Sequence, residues 1–384
     1  MKWKNPGHEF DDVYKEIQKK DKFYFFGAGD YGKQFSKIMK DEINIVGFID
    51  NSIQKQKELY CGIKCYSLQE VSSQIGKNVA IIITVSQIQR GSMIAQLEKL
   101  GFVRNKDFFI IEEFLSIYYV YKYGKIYFSS VSFLPSTVCN LKCKACLNFN
   151  PFAKEFYVRD LSMIKKDINV FFQCVDRIML FHVSGGEPML YKHIADVLEY
   201  ISENYGNRID TLRTVTNGTV VPPDSLLERL SKCNIEITVD DYRKAVPQYK
   251  DNFDKLIQKL EQFGIRYYTN YTDEWIDLAP MTTDFSAWSE EKLTKHFDEC
   301  CQSWQELRDG KLYSCNYDAY ATVAGINDVQ DKEIFDLTTY DETMKKKLVE
   351  FRLGYNEKGY TNFCKKCMGF SPKNTNVRVP AEQV

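Results

Sequence analysis

The sequence predicts an α/β protein with an N-terminal domain on a parallel sheet, a central run of β/α repeats and a C-terminal segment organised by its cysteines. Three observations predict this. Short apolar runs alternate with amphipathic helical runs from residue 22 to about residue 290, the pattern of βαβ units. At 384 residues the chain exceeds one ordinary core and divides into two or three domains. Most of its 12 cysteines fall into clusters, and the last hundred residues are otherwise irregular.

Composition narrows the function. Hydrophobic residues make up 44% and charged residues 27%, as in ordinary globular proteins. The net charge of −1, without a long basic run, lacks the positive footprint of a nucleic-acid binder. The opening "MKWKNPGHEFDDVYKEI" has no apolar signal-peptide core, and no stretch approaches a membrane span. A cytoplasmic protein without a membrane partner is expected. In that reducing compartment, clustered cysteines bind metal or do redox work. Cys61, Cys65, Cys174 and Cys233 lie within strand-like or helix-like runs and read as small buried hydrophobes.

In the first domain, residues 1–118, "KFYFFG" (22–27) is a buried strand, followed by "GAGDYG" and a helix to about Asp41. "NIVGFIDN" and "NVAIIITVS" are further strands; "GSMIAQLEKLGF" is a helix and "DFFIIEEF" a short strand. Gly27, Gly29 and Gly32 match G-x-G-x-x-G between strand and helix, and Asp50 ends the next strand, where a ribose-binding acid would sit. Such glycines let the backbone approach a pyrophosphate at a helix N-terminus. The domain reads as Rossmann-like and points to a nucleotide or nucleotide-sugar; the alternative is a tight turn that is only structural. It resembles the N-terminal nucleotide-binding-like domains of sugar-modifying and glycan-assembly enzymes.

The central domain, residues 119–290, begins with a bridging segment, "YYVYKYGKIYFSS", and then alternates. "RIMLFHVSGGEP", "IDTLRTVTNG", "IEITVDDY" and "IRYYTNY" are strands. "YKHIADVLEYISENYG", "PPDSLLERLSKC" and "NFDKLIQKLEQFG" are helices. This succession predicts a partial (β/α)6 TIM barrel. Before the first repeat, Cys139, Cys143 and Cys146 stand as C-x3-C-x2-C. Zinc prefers four ligands in two pairs. A cubic iron–sulfur cluster held by three thiolates keeps one iron open.

This loop, with "SGGEP" at 184–188, resembles the radical S-adenosylmethionine (SAM) superfamily from about residue 135 to 290. The resemblance implies that Cys139, Cys143 and Cys146 hold a 4Fe-4S cluster whose open iron chelates SAM. Reductive cleavage of SAM would then give a 5′-deoxyadenosyl radical that abstracts hydrogen from substrate. It also implies a flavodoxin- or ferredoxin-type electron donor. Gly185 and Gly186 would expose backbone to the SAM amino group, and Glu187 would accept a hydrogen bond from it. Asn217, ending the next strand, is a candidate SAM contact. Asp240, Asp241 and Tyr242, ending the one after, would touch ribose or substrate; loop capping is the alternative. The family usually has an aromatic residue before the third cysteine. Here it is Ala145, so Leu147 or Phe149 would substitute. His182 lies on the same strand face as Ser184, open to the barrel or structurally satisfied. His193 starts a helix, and Trp275 lines a pocket or the core.

In residues 291–384, Cys300, Cys315, Cys364 and Cys367 resemble the ligands of a SPASM/twitch-type auxiliary cluster domain, of the shorter twitch kind. "GKLYSC" reads as a hairpin return with Gly310 at the turn. Cys301 competes with Cys300 by adjacency, and structural zinc is the alternative metal. The closing "SPKNTNVRVPAEQV" carries no pattern separating a free tail from a lid. Taken with the N-terminal domain, these features predict dehydrogenation or epimerisation of a sugar, nucleotide-sugar or polyol, an arrangement resembling aminocyclitol dehydrogenases. The alternative is a peptide maturase acting on a precursor peptide.

Overall fold

The computed structural model describes residues 1–300 and 304–384. The chain separates into two compact units, Asn5–Lys125 and a second formed by Met1–Lys4 with Ile126–Val384.

The first unit is built on six strands: β1 (Lys22–Phe26), β2 (Ile45–Ile49), β3 (Leu59–Tyr60), β4 (Ile63–Tyr66), β5 (Val79–Ile83) and β6 (Phe108–Ile110). Their order is β3-β4-β2-β1-β5-β6, and every pairing except β3–β4 is parallel. β5, "VAIII", is buried along its whole length, as a strand covered on both faces must be. The order reverses between β1 and β5, the switch point beside which ligands of such sheets generally bind. A helix, Ile111–Tyr123, takes the end of the run read from sequence as the strand "DFFIIEEF", of which only Phe108–Ile110 is strand, and the start of the segment read as a bridge. Its aromatic run hides the polar face. Its boundary signals were nevertheless present: Glu112 and Glu113 in the first turn, and Gly124 left-handed at the end (φ 62°).

The second unit carries an eight-stranded sheet. β7 (Tyr127–Phe133), β8 (Arg177–Val183), β9 (Ile209–Thr216), β10 (Ile235–Asp240) and β11 (Arg266–Asn270) lie side by side in chain order, all parallel. Helices Leu161–Cys174, Ile194–Tyr205, Asp224–Leu230 and Lys250–Gln262 connect them. Phe171 and Phe172 of the first helix pack on Phe181 of β8, with ring centroids 5.7 and 5.9 Å apart. This fixes which face of the sheet meets the helices.

β12 (Trp275–Ile276) lies outside this sheet. β13 (Glu306–Arg308) extends the sheet parallel to β7, and β14 (Lys311–Tyr313) and β15 (Ile334–Asp336) follow antiparallel. The β13–β14 hairpin turns on Asp309 (φ 54°) and Gly310 (φ 71°), the two positive-φ positions of a tight hairpin turn. Asp167 accepts from the amides of both turn residues, at 2.7 and 2.8 Å, and is itself paired with buried Arg159. The C-terminal segment therefore continues the central sheet. β16 (Val377–Arg378) returns to pair with β12. Among the described residues no helix is long and apolar enough to cross a membrane.

Candidate functional site

The cysteine loop follows β7. Cys139, Cys143 and Cys146 share one cluster with buried Leu141, Val246 and Ala381 and part-buried Tyr242 and Trp275. Each sulfur is met by N–H groups. Leu141 N–H donates to Cys139 Sγ at 3.4 Å, Asn217 Nδ2 to the same sulfur at 3.8 Å, and Gln383 Nε2 to Cys143 Sγ at 3.5 Å. Backbone groups of residues 148–150 act on Cys146. Burial nevertheless dominates: it pushes Cys139 up to about 11 and Cys143 up to about 12, and raises Cys146. Thiols in that state become thiolates only with a cation beside them.

The loop is clipped to the turn after β8. Gly186 N–H donates to Ser136 O at 3.0 Å and Glu187 N–H to Val138 O at 2.7 Å. A β-carbon on Gly186 would lie 2.2 Å from Thr137 O, so glycine is required for this approach. Glu187 is 1% exposed, and its carboxylate accepts from Asn217 N–H at 2.7 Å and Met189 N–H at 3.0 Å. Burial pushes it up to about 7. Asn217 reaches back to the cysteine loop, donating to Asn140 Oδ1 at 3.0 Å, while its own Oδ1 accepts from Thr219. Asn140 and Thr219 are thus parts of the site that motif spacing did not reveal.

Asp240 ends β10 and accepts from Tyr242 OH (2.7 Å) and Asn270 Nδ2 (2.8 Å); burial raises it. Tyr242 meets Trp275 edge-on at 5.2 Å, so these two rings supply the aromatic wall beside the cysteines. Phe149 instead packs on Phe363, 5.4 Å away, in a cluster that includes Leu147, Cys315 and Cys367. Asp241 is paired with Arg243 at 2.8 Å, which holds it below the usual carboxylate range. His193 precedes a helix and pairs with Asp196.

His182 is on the face of β8 opposite Phe181. Register carries that face across six strands as one polar row: Glu306, Ser132, His182, Arg213, Glu236 and Arg266. Arg213 donates to Glu236 at 2.8 Å. The His182 ring meets Trp304 edge-on at 5.1 Å, its Nδ1 has no hydrogen-bond partner among the described residues, and burial pushes it down to about 3, leaving it neutral. Alternation fixes the face each member takes on its own strand, but only the register between strands joins them into a row.

Cys300, Cys315, Cys364 and Cys367 line a second pocket with His296, Phe297, Tyr317, Thr361, Phe363 and Gly369. Burial raises Cys315 and Cys367 and pushes Cys364 up to about 12. Cys301 lies outside the described residues. In the first unit, Gly27 is left-handed (φ 122°) and wedged against Thr84 and Val85, and Gly32 packs on Gly27 O. Gly29 faces open space. Asp50 accepts from Ala28 N–H at 2.9 Å and pairs with Lys55 at 3.2 Å, so its carboxylate holds the glycine loop itself.

Both cysteine sets fit an iron–sulfur cluster by donor chemistry: buried thiols, gathered together, with N–H groups aimed at sulfur. Among the described residues no three His, Cys, Asp or Glu side chains converge on a single metal ion. A cubane differs from such an ion in giving each thiolate its own iron.

Residues 133–272 match the family model described as the Radical SAM superfamily. No curated protein sequence matches the chain. The structure of Streptococcus suis SuiB bound to S-adenosylmethionine is 17% identical over 41% of this chain and 35% of its own, with a TM-score of 0.31. Native anSMEcpe with bound AdoMet and Kp18Cys peptide is 14% identical over 66% of this chain and 93% of its own, with a TM-score of 0.39. BtrN in complex with AdoMet and 2-DOIA is 17% identical over 65% of this chain and 98% of its own, with a TM-score of 0.36. The match spans between 35% and 47% of the length of the SuiB chains. By the match over these residues, and by the clipped cysteine loop within them, the chain carries a radical SAM domain.

Proposed function

We propose that this chain is a radical SAM enzyme acting on a sugar, nucleotide-sugar or polyol-like substrate, which it dehydrogenates or epimerises at a carbon bearing a hydroxyl. On this reading residues 1–118 are a Rossmann-like domain, the central strands a partial (β/α)6 barrel, and residues 291–384 a twitch-type domain with an auxiliary 4Fe-4S cluster. The observation that carries the reading is the cysteine loop locked to the Gly185–Gly186–Glu187 turn and to Asn217 at the carboxyl ends of β7, β8 and β9.

When bound, a 4Fe-4S cluster with SAM supplies hydrogen-atom abstraction from an unactivated carbon, with an auxiliary cluster as electron sink and a flavodoxin- or ferredoxin-type donor as electron source. The chain's own residues do the rest. Cys139, Cys143 and Cys146 are the ligands, and Asn217 orients the first of them. Tyr242 and Trp275 exclude water beside the loop. Asp240 is kept close by Tyr242 and Asn270, ready to accept from a ribose or substrate hydroxyl.

The polar row favours the sugar reading over a peptide. Ser132 and Glu306 are buried and already bonded to Tyr320, but His182, Arg213 and Glu236 offer partners for hydroxyls and little apolar surface for peptide side chains. His182 offers an open hydrogen-bonding nitrogen, and Arg213 with Glu236 a donor and acceptor together. The N-terminal parallel sheet likewise lacks the winged-helix pattern common in peptide recognition.

Anaerobic reconstitution tests the proposal. About eight irons per chain are expected for two cubanes; about four irons with zinc would remove the auxiliary cluster. Reduced protein should cleave SAM slowly without substrate, and Cys139→Ala should abolish that cleavage. Binding of a precursor peptide in place of a nucleotide-sugar would overturn the substrate assignment.

A further inference from the structure

The middle cysteine of the loop is held by a segment 240 residues away in sequence. Residues 377–384 run from β16, beside Trp275, onto the loop itself. Lys144 N–H donates to Glu382 O at 2.7 Å and Val384 N–H to Lys142 O at 2.9 Å, with Cys143 and Gln383 opposite each other in an antiparallel bridge. Ala381 is fully buried in the cluster that holds the three cysteines. The segment therefore lies antiparallel along residues 142–144, joined to them by a single bridge and its flanking hydrogen bonds.

Gln383 uses both ends of its amide there. Its Oε1 accepts from Lys142 N–H at 2.7 Å, and its Nε2 donates to Ala381 O at 2.6 Å and to Cys143 Sγ at 3.5 Å. The reverse orientation would set oxygen against oxygen and N–H against N–H, so the neighbours fix the amide.

We propose that Gln383 is a positioning residue for Cys143: it fixes the loop backbone through Lys142 and aims an N–H at the sulfur. Cys139 receives its donors from its own loop and from Asn217 just after β9, and Cys146 from residues 148–150. Among the described residues, only Cys143 of the three takes a side-chain donor from the far end of the chain. This inference rests on Cys139, Cys143 and Cys146 being cluster ligands. A hydrogen bond to a ligand sulfur favours the more electron-rich, reduced cluster, so losing it lowers the reduction potential.

The test uses the full chain with Gln383→Leu, which removes donor and acceptor, and Gln383→Glu, which keeps the acceptor for Lys142 and removes the donor. Amide hydrogen exchange over residues 140–146 is measured first on protein without cluster. Gln383→Leu should speed exchange at Lys142 at least tenfold, and Gln383→Glu, which keeps the acceptor but sets an oxygen against Ala381 O, should fall between Gln383→Leu and wild type. Unchanged exchange in Gln383→Leu overturns the positioning role, whatever the loop binds. The midpoint potential of the SAM-site cluster is measured next. Both variants should be more negative than wild type, by up to tenfold in the reduction equilibrium, about 59 mV for one electron. Equal potentials in all three proteins overturn the sulfur contact. If exchange responds as expected but wild type and Cys143→Ala load the same iron, the ligand assignment has failed and the positioning role toward a cluster fails with it.

Discussion

Gly186→Ala is the perturbation whose cost can be worked from the structure. Gly186 does not have a positive φ, so alanine is conformationally allowed and only space is at issue. The new methyl would sit 2.2 Å from Thr137 O and 2.5 Å from Val138 O, where ordinary contact begins near 3.4 Å. The cysteine loop must retreat by about 1 Å, which breaks the two hydrogen bonds that clip it, Gly186 N–H to Ser136 O and Glu187 N–H to Val138 O. Overpacking costs about 1–3 kcal/mol, and two hydrogen bonds add about 1–3 kcal/mol. The sum, about 2–6 kcal/mol, is a large part of a typical domain's stability. Gly185→Ala meets only the Pro188 ring at 3.0 and 3.3 Å and Ser136 O at 3.3 Å, and should cost about 1 kcal/mol. Denaturant unfolding and iron per chain after reconstitution are the assays. Gly186→Ala should be much the less stable of the two and should load fewer irons. Equal stability and iron in the two variants would refute the clip.

Glu306 is fully buried, and burial pushes it up to about 7 from 4.5, so its contribution is whole below about pH 4.5 and lost as pH rises through 7. Glu306→Gln should therefore gain on wild type between pH 5 and pH 8 by up to about 3 kcal/mol in denaturant unfolding; a pH-independent difference would contradict this. Gly29 faces open space in extended backbone and caps helix Asp30–Met39, so Gly29→Asp, itself a good cap, should melt like wild type while losing UDP-glucose binding, and retained binding would remove the glycine loop as a nucleotide site. Cys300→Ala should lower iron by about four per chain and leave substrate-free SAM cleavage in place; unchanged iron would point away from Cys300.

Much of this was legible because glycine and cysteine act through spacing along the chain. C-x3-C-x2-C and the Gly-Gly turn lie in single loops, so their proximity follows from sequence order. Gly310 at the hairpin turn was legible for the same reason. What escaped was set by register or by long return paths. The polar row from Glu306 to Arg266 exists only because six strands stand at one register. Helix Ile111–Tyr123 was masked by an all-round aromatic run. Glu187 and Asp50 also accept from backbone N–H groups of neighbouring loops, contacts that no motif announced, since a buried or half-buried acid takes the nearest donors. Gln383 and its bridge could not be read at all, because nothing in "PAEQV" announces a partner at Cys143.

The most direct measurement is electron paramagnetic resonance of the reduced, anaerobically reconstituted protein, recorded with and without SAM in wild type and in Cys139→Ala. The account predicts a cluster signal that changes shape when SAM is added, and loss of that response in the variant. Bound iron whose spectrum ignores SAM, or zinc held by Cys139, Cys143 and Cys146, would contradict it.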